Sequence, residues 1–189
     1  PTFTGIRSEL RFVADTLGDD MWYTFDVRLN AVDWVQLSTE EISIFQVHTL
    51  DTIVGTSIDL TGLMIHGCLK ISVPSPEPPA TPITDNIKAS YPMPFDRWVR
   101  MAVHAFWKAD DSGVVEVFID RVPIFKQFNR GTGYTADKPY LKLGLYDTQH
   151  GAAFGYRRAF YRNLRIYRGL SAYSEVLGGR PLLPLPMVV

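Results

Sequence analysis

Short segments in which apolar and polar residues alternate recur along most of this chain. Alternation with a period of two, bounded by turn residues, predicts β-strands that bury one face. Turn-forming sequences at 110–113 and 129–133 separate several of these segments. The clearest segments are rich in aromatic and β-branched residues and lie at 21–29, 42–49, 98–107, 114–119, 140–146 and 159–167.

Helical periodicity is nearly absent, and at most one helical turn is expected near 171–176. Many short strands without intervening helices predict an all-β fold, a β-sandwich jelly roll of two antiparallel sheets. The length of 189 residues and the absence of internal repeats predict a single domain over 1–189. Within it, seven prolines between 74 and 94 predict a long surface loop, and the Pro/Leu-rich residues 178–189 predict an irregular tail.

The composition is that of an ordinary globular domain, with 46% hydrophobic and 21% charged residues. A net charge of −1 argues against indiscriminate nucleic-acid binding, which needs a strong basic excess, but allows a local basic groove. The single cysteine, Cys68, excludes an intrachain disulfide. No apolar run approaches the length of a membrane-spanning helix. The sequence also shows no signal peptide, so we expect a processed or excised domain, or an unsecreted protein.

Three segments place polar side chains on one face of a predicted strand and apolar side chains on the other. Residues two apart in a strand point the same way. Each pattern alone is typical of a solvated strand face, so the argument rests on all three occurring together, each with an apolar face that fixes its register. The polar faces carry, in chain order, Arg7, Glu9 and Arg11; Gln46 and His48; and Tyr140, Lys142, Gly144 and Tyr146.

The motifs R-S-E-L-R, Q-V-H and Y-L-K-L-G-L-Y, in this order, resemble the three signature strands of alginate-lyase-type jelly-roll polysaccharide lyases. The stretch 95–169 also resembles the wider heparin-lyase and glucuronan-lyase-like group. The resemblance covers most of the chain. It implies a concanavalin-like sandwich with a concave substrate groove, and β-elimination of an acidic, uronate-containing glycan without a cofactor or metal. The last motif continues as Y-D-T-Q rather than the Y-N-Q of alginate lyases, which argues against alginate as the particular substrate.

The resemblance also implies a role for each polar residue. Elimination removes the C5 proton of a uronate, which becomes accessible when the neighbouring carboxylate is neutralised. His48 is implied as the base that takes this proton, and Tyr146 as the acid that protonates the leaving glycosidic oxygen. In some relatives the tyrosine serves as both base and acid. Gln46 and Arg7 are implied to neutralise the carboxylate. The implied substrate-binding residues are Glu9, Arg11, Lys142, Tyr140, His150 and Gln149.

Other side chains are interpreted without the resemblance. Trp34, in a loop-like segment, is predicted to be exposed and able to stack on a sugar, whereas His104, between apolar residues, is predicted to be structural. The arginines between 157 and 168 are interpreted mainly as solvated charges.

Two further functions fit the same fold. One is a non-catalytic carbohydrate-binding module or a virion or surface structural component, because a fold does not determine a function. The other is a glycoside hydrolase, which needs two carboxylates across a cleft, whereas Glu9 has arginines beside it. The expected partner of the lyase is an acidic polysaccharide such as alginate or glucuronan, with no nucleic acid or membrane. We expect an extracellular, secreted or virion-associated protein, which can form a homo-oligomer or part of a larger assembly.

Overall fold

Two antiparallel β-sheets pack face to face in the computed structural model, which confirms the predicted β-sandwich jelly roll. The structure describes residues 7–14, 18–34, 41–50, 53–61, 63–70, 86–108, 110–128, 132, 139–147, 157–169 and 172–178. Its strands are β1 Arg7–Ala14, β2 Asp20–Leu29, β3 Glu41–Leu50, β4 Ile53–Thr61, β5 Met64–Lys70, β6 Asn86–Pro92, β7 Val99–Phe106, β8 Val114–Ile119, β9 Val122–Phe128, β10 Tyr140–Asp147 and β11 Ala159–Arg168. A 3-10 helix spans Ala31–Asp33 and one α-helix, α1, spans Ala172–Leu177.

The order of the strands brings distant parts of the sequence together. One sheet runs β1-β10-β3-β4-β5-β6, and the other runs β11-β2-β7-β8-β9, with every neighbouring pair antiparallel. Strand β10 lies between β1 and β3, so the three strands that carry the polar motifs are adjacent. In the part of the chain that the structure describes, no helix is long and apolar enough to cross a membrane.

The core lies between the sheets and is built from the apolar positions of each alternating strand. Phe25 of β2 and Phe45 of β3 stack across the interface with their ring centroids 5.6 Å apart. Tyr161 of β11 also crosses the core, where its hydroxyl donates a hydrogen bond of 3.1 Å to the carbonyl oxygen of Ile44. Burial raises the pKa of Tyr161, and the Glu9 carboxylate raises it further, so this tyrosine stays a neutral donor.

Two expectations from the sequence are wrong in detail. Part of the predicted 74–94 loop is strand β6, because residues 86–92 alternate and place Ala89 and Tyr91 against the core. Strand β6 lies at the edge of its sheet, where the terminal Pro92 is tolerated. Trp34 is fully buried rather than exposed, since the 3-10 helix turns its indole into the core, where Nε1 donates to the Arg158 carbonyl at 3.3 Å. Trp34 is therefore not a sugar platform.

His104 is a structural residue, as its apolar flanks predict. It is buried on β7, stacks on Trp22 with ring centroids 4.4 Å apart, and contacts the Glu116 and Asp20 carboxylates at 2.8 Å each. Lys126 also contacts Glu116 at 2.8 Å. The arginines of β11 behave as expected too: Arg162, for example, is half-exposed and pairs with Asp26.

Glu116 is expected to make the fold sensitive to acid. Burial raises the pKa of Glu116, but hydrogen bonds with His104 and Lys126 outweigh it and hold the pKa below its ordinary value of 4.5. A lowered pKa contributes stability above the unfolded-state value, and that stability is lost as the pH falls through the folded-state pKa. The free energy of unfolding should therefore fall below about pH 4.5.

Denaturant titrations between about pH 6 and about pH 3 measure this loss. In Glu116→Gln the loss should be smaller, because residue 116 no longer titrates. Asp111→Asn removes an exposed carboxylate from the β7–β8 turn and should follow the wild-type curve. Parallel wild-type and Glu116→Gln curves would show that Glu116 is not responsible.

Candidate active site

The three polar motifs meet on the outer face of the six-stranded sheet, the face turned away from the core. Arg11 of β1 lies opposite Lys142 of β10, which lies opposite Gln46 of β3. One step along, Tyr140 lies opposite His48. Residues directly opposite in an antiparallel pair share a face, so these side chains project together.

Direct contacts join His48 to three of these neighbours. Lys142 Nζ lies 3.1 Å from His48 Nε2, and Gln46 Oε1 lies 3.4 Å from the same nitrogen. The His48 and Tyr140 rings stack with centroids 5.3 Å apart, and the Arg11 guanidinium carbon lies 3.9 Å from the Tyr140 centroid. Arg11 is exposed, whereas His48 is only 5% exposed, so the cluster has a buried floor and a solvent-facing rim.

The contact with Lys142 bears on which ring nitrogen of His48 carries the proton. An ammonium group has only donors, so a charged Lys142 at 3.1 Å favours the tautomer in which Nε2 accepts. The imidazole is then neutral with its proton on Nδ1. A second proton on the ring would place two cations side by side. The arrangement therefore favours a neutral imidazole whose Nε2 is an acceptor.

Below this face the structure shows hydrogen-bonded side chains that the motifs did not single out. Asp59 of β4 is 1% exposed and accepts hydrogen bonds from Ser43 Oγ at 2.5 Å and from Ser57 Oγ at 2.8 Å. Ser43 Oγ in turn accepts from Gln46 Nε2 at 3.0 Å. The only hint in the sequence is that Ser57 and Asp59 are two apart and share a strand face.

An irregularity in β3 makes this chain of hydrogen bonds possible. The register with β4 shifts between Ser43 and Phe45. Ile44 and Phe45 are both in the core, so Ser43 and Gln46, three residues apart, both lie on the outer face. A bulge of this kind re-aims side chains, and simple alternation does not predict it.

Tyr146 lies on the same face but farther along the strand. It is half-buried, opposite Ser43 on one side and Arg7 on the other, so it is not the tyrosine stacked on His48. Arg7 is placed by its backbone at the end of β1, and its side chain lies outside the described residues. Gln149 and His150 also lie outside the described residues.

Gly144 allows β1 to approach β10 closely. Its φ of +147° lies in a region that L side chains rarely adopt. A Cβ at this position would overlap the Ser8 carbonyl oxygen and lie 2.6 Å from the Glu9 Cα. The glycine of the Y-x-K-x-G-x-Y motif is thus needed to hold β1, with its arginines, against the site.

Replacing Gly144 with alanine should both destabilise the protein and weaken catalysis, because β1 must move away. We expect a loss of about 2 kcal/mol in the free energy of unfolding, measured by denaturant titration. Gly18→Ala is the matched control, since Gly18 has a φ of +95° but an added Cβ there would meet nothing within 4 Å. Equal losses of unfolding free energy in the two variants would mean that the close contact between Gly144 and β1 does not contribute to stability.

The comparisons with known proteins identify the class. Residues 1–165 match the family model described as polysaccharide lyase. The chain therefore belongs to the polysaccharide lyase family, and it is an enzyme of that family. No curated protein sequence matches the chain.

Solved structures share the fold at low sequence identity. An endo-β-1,4-glucuronan lyase from the fungus Trichoderma reesei superposes with a TM-score of 0.71 at 16% identity, over 87% of this chain and 75% of its own. An alginate lyase from Pseudomonas aeruginosa gives a TM-score of 0.59 at 18% identity, over 86% of this chain and 74% of its own. A family 7 alginate lyase with bound substrate gives a TM-score of 0.61 at 13% identity, over 86% of this chain and 69% of its own.

Proposed function

We propose that this enzyme cleaves an acidic, uronate-containing polysaccharide by β-elimination. The observation that carries the proposal is the contact of 3.1 Å between Lys142 Nζ and His48 Nε2, with the Gln46 amide beside them. A neutral base next to a cation and an amide is what proton removal beside a carboxylate requires.

The reaction balances with the groups on this face. His48 Nε2 takes the C5 proton, and the electron pair of that C–H bond forms the C4–C5 double bond. The C4–O bond then breaks, and its electron pair leaves with the glycosidic oxygen. A tyrosine hydroxyl, which we assign to Tyr146, gives this oxygen a proton. The enzyme ends with His48 protonated and the tyrosine deprotonated, so a proton must pass from one to the other through solvent before the next turnover.

Charge on the substrate carboxylate would oppose removal of the C5 proton. Lys142, Gln46 and Arg11 line the described part of the face next to His48, and all three carry N–H donors. When a uronate binds, Lys142 can transfer its hydrogen bond from His48 to the carboxylate. This leaves Nε2 able to accept the proton. We assign Arg7, whose backbone pairs with that of Tyr146, to assist.

The two tyrosines have different surroundings, which is why we give them different roles. The Tyr140 ring stacks on His48 and lies under the Arg11 guanidinium, so it holds both groups in place. Tyr146 lies at the other end of the motif, beyond Gly144, where the face has no side chain. We propose that the sugar ring lies over this gap, between the base and the acid.

The solved relatives support an acidic substrate. Their names describe lyases of glucuronan and of alginate. One alginate lyase was captured with its substrate in a variant with histidine replaced by asparagine and tyrosine by phenylalanine, the residue types proposed here. We rank a glucuronan-type polymer first, since the Y-D-T-Q sequence departs from the alginate-lyase motif. Such polymers do not cross membranes, so we place the enzyme outside the cell, by secretion or on a virion.

The test is to incubate the protein with polyglucuronate, alginate, hyaluronan and heparin and follow ultraviolet absorbance. Elimination creates a double bond conjugated with the carboxylate, so the absorbance should rise with at least one acidic polymer. A neutral glucan is the control and should give no rise. Binding to an acidic polymer without any rise would overturn the proposal in favour of a non-catalytic module.

A further inference from the structure

The hydrogen bonds below Gln46 dictate which way its amide points. The Asp59 carboxylate has only acceptors, so Ser43 must use its single hydroxyl proton on Asp59. Ser43 then offers only lone pairs to Gln46, and the Gln46 NH₂ group must be the side that faces Ser43. The amide oxygen is thereby turned toward His48, 3.4 Å from Nε2.

We propose that Asp59 and Ser43 are positioning residues that hold the Gln46 oxygen against His48 and thereby stabilise the imidazolium formed during the reaction. The inference rests on the proposed elimination by His48. In the resting enzyme Nε2 accepts from Lys142. After proton transfer Nε2 carries a proton and becomes a donor, and the Gln46 oxygen is the acceptor already in place.

The negative charge of Asp59 explains why Gln46 is held by a chain of hydrogen bonds through Ser43 rather than by a single contact. A carboxylate that is 1% exposed is costly unless it is well hydrogen-bonded. Its presence below a face that binds an anionic polymer also costs electrostatic energy. A chain of hydrogen bonds that ends on a buried anion is polarised along its length. The Gln46 oxygen therefore becomes more negative, and a proton on His48 becomes more favourable.

The second N–H of the Gln46 amide gives this orientation a second role, in binding the substrate. One N–H is bound to Ser43, and the amide has a second that can reach the substrate carboxylate. A flipped amide would present its oxygen to Ser43, which has no proton left to donate. It would also present NH₂ to His48, where the imidazolium formed in the reaction needs an acceptor. Ser43 thus fixes both functions of Gln46 at once.

Ser57 provides a matched control. It binds the same carboxylate through the other oxygen at 2.8 Å and is fully buried like its neighbours. Within the described part of the chain, its side-chain hydrogen bond goes to Asp59 and not to Gln46. Removing either hydroxyl takes one donor from Asp59, but only the Ser43 hydroxyl orients the amide. A merely structural role for Asp59 predicts similar effects for both.

The experiment measures kcat, KM and the free energy of unfolding for Ser43→Ala, Ser43→Thr and Ser57→Ala on the polymer that the wild type cleaves. Ser43→Ala should lower kcat about tenfold with little change in KM, since a lost hydrogen bond of this kind amounts to about that factor. Ser43→Thr keeps a hydroxyl and should restore most of kcat. Ser57→Ala should lose stability comparably and keep kcat within about twofold. Equal losses of kcat in the two alanine variants would overturn the proposal.

A second measurement reports the orientation without turnover. The imidazole ¹⁵N resonances of His48 in the substrate-free protein should change in Ser43→Ala and stay in place in Ser57→Ala. If the wild type cleaves no acidic glycan but this NMR pattern holds, the proposed elimination fails and the positioning by Ser43 stands. If both variants leave the resonances unchanged, the positioning fails even in an active lyase.

Discussion

Replacing His48 with alanine is expected to lower kcat/KM on the acidic polymer by about a thousandfold, the middle of the range for general acid–base catalysis. Of the described side chains whose polar atoms lie next to Nε2, neither can take the C5 proton in its place, because a charged Lys142 has only donors and Gln46 is not basic at neutral pH. Initial rates of ultraviolet absorbance measure the loss. The polymer should still bind, since the cationic side chains of Lys142 and Arg11 around position 48 remain.

His104→Ala is the control for this change. It removes a buried histidine from the other sheet, where the ring contacts Glu116 and Asp20. Its free energy of unfolding should fall while kcat on the folded protein stays close to wild type. His48→Ala should show the reverse, with activity lost and most of the stability kept. A His48→Ala enzyme that retains a tenth or more of the wild-type rate would rule out His48 as the base.

Tyr146→Phe is expected to lower kcat by about a hundredfold to a thousandfold, because the leaving oxygen loses its proton donor. Tyr140→Phe should cost about threefold, since a phenyl ring can still stack between His48 and the Arg11 guanidinium. The two variants remove the same atom from the same strand, so each controls for the other. Both should bind the polymer with near wild-type affinity.

If Tyr140→Phe lowered kcat more than Tyr146→Phe, the assignment of the general acid would change. Tyr140 lies opposite His48, whereas Tyr146 lies opposite Ser43, five positions away on β3. If Tyr140→Phe is the more damaging change, the acid is the tyrosine that touches the base, and Tyr146 binds substrate. A double variant no worse than the more damaging single variant would show that one tyrosine accounts for the whole effect.

The faces of the site strands can be predicted from the sequence because a period of two is a strong constraint. Arg11, Lys142 and Gln46 share the predicted polar face. On the opposite side Phe45 and Leu143 lie in the core and hold the register of β3 and β10, whereas Leu10 of β1 is 67% exposed. Resemblance to a known family then indicates that the strands meet. Alternation alone says nothing about which strands are neighbours, so the place of β10 between β1 and β3 needs the structure.

The Ser43–Asp59 pair cannot be predicted for a physical reason. Ser43 reaches the outer face only because of the register shift next to Ile44. Its mark in the sequence is the adjacent apolar pair Ile44-Phe45, and a break in alternation does not by itself say which side chains a bulge brings together. The exposure of Trp34 is wrongly predicted because the residue lies in a loop-like segment, although the indole itself packs into the core. Strand β6 escapes prediction because proline density outweighs a short alternating stretch.

The insertion of β10 between β1 and β3 affects when the enzyme becomes active during folding. Arg11 and Lys142 are paired across most of the chain's length, and closing so long a segment is entropically costly and slow. Hairpins such as β8–β9 are local and can form much earlier. We therefore expect the proposed catalytic face to form late in folding. Because β1 is an edge strand held on one side only, it is also the element whose local opening would switch activity off before the sandwich itself unfolds.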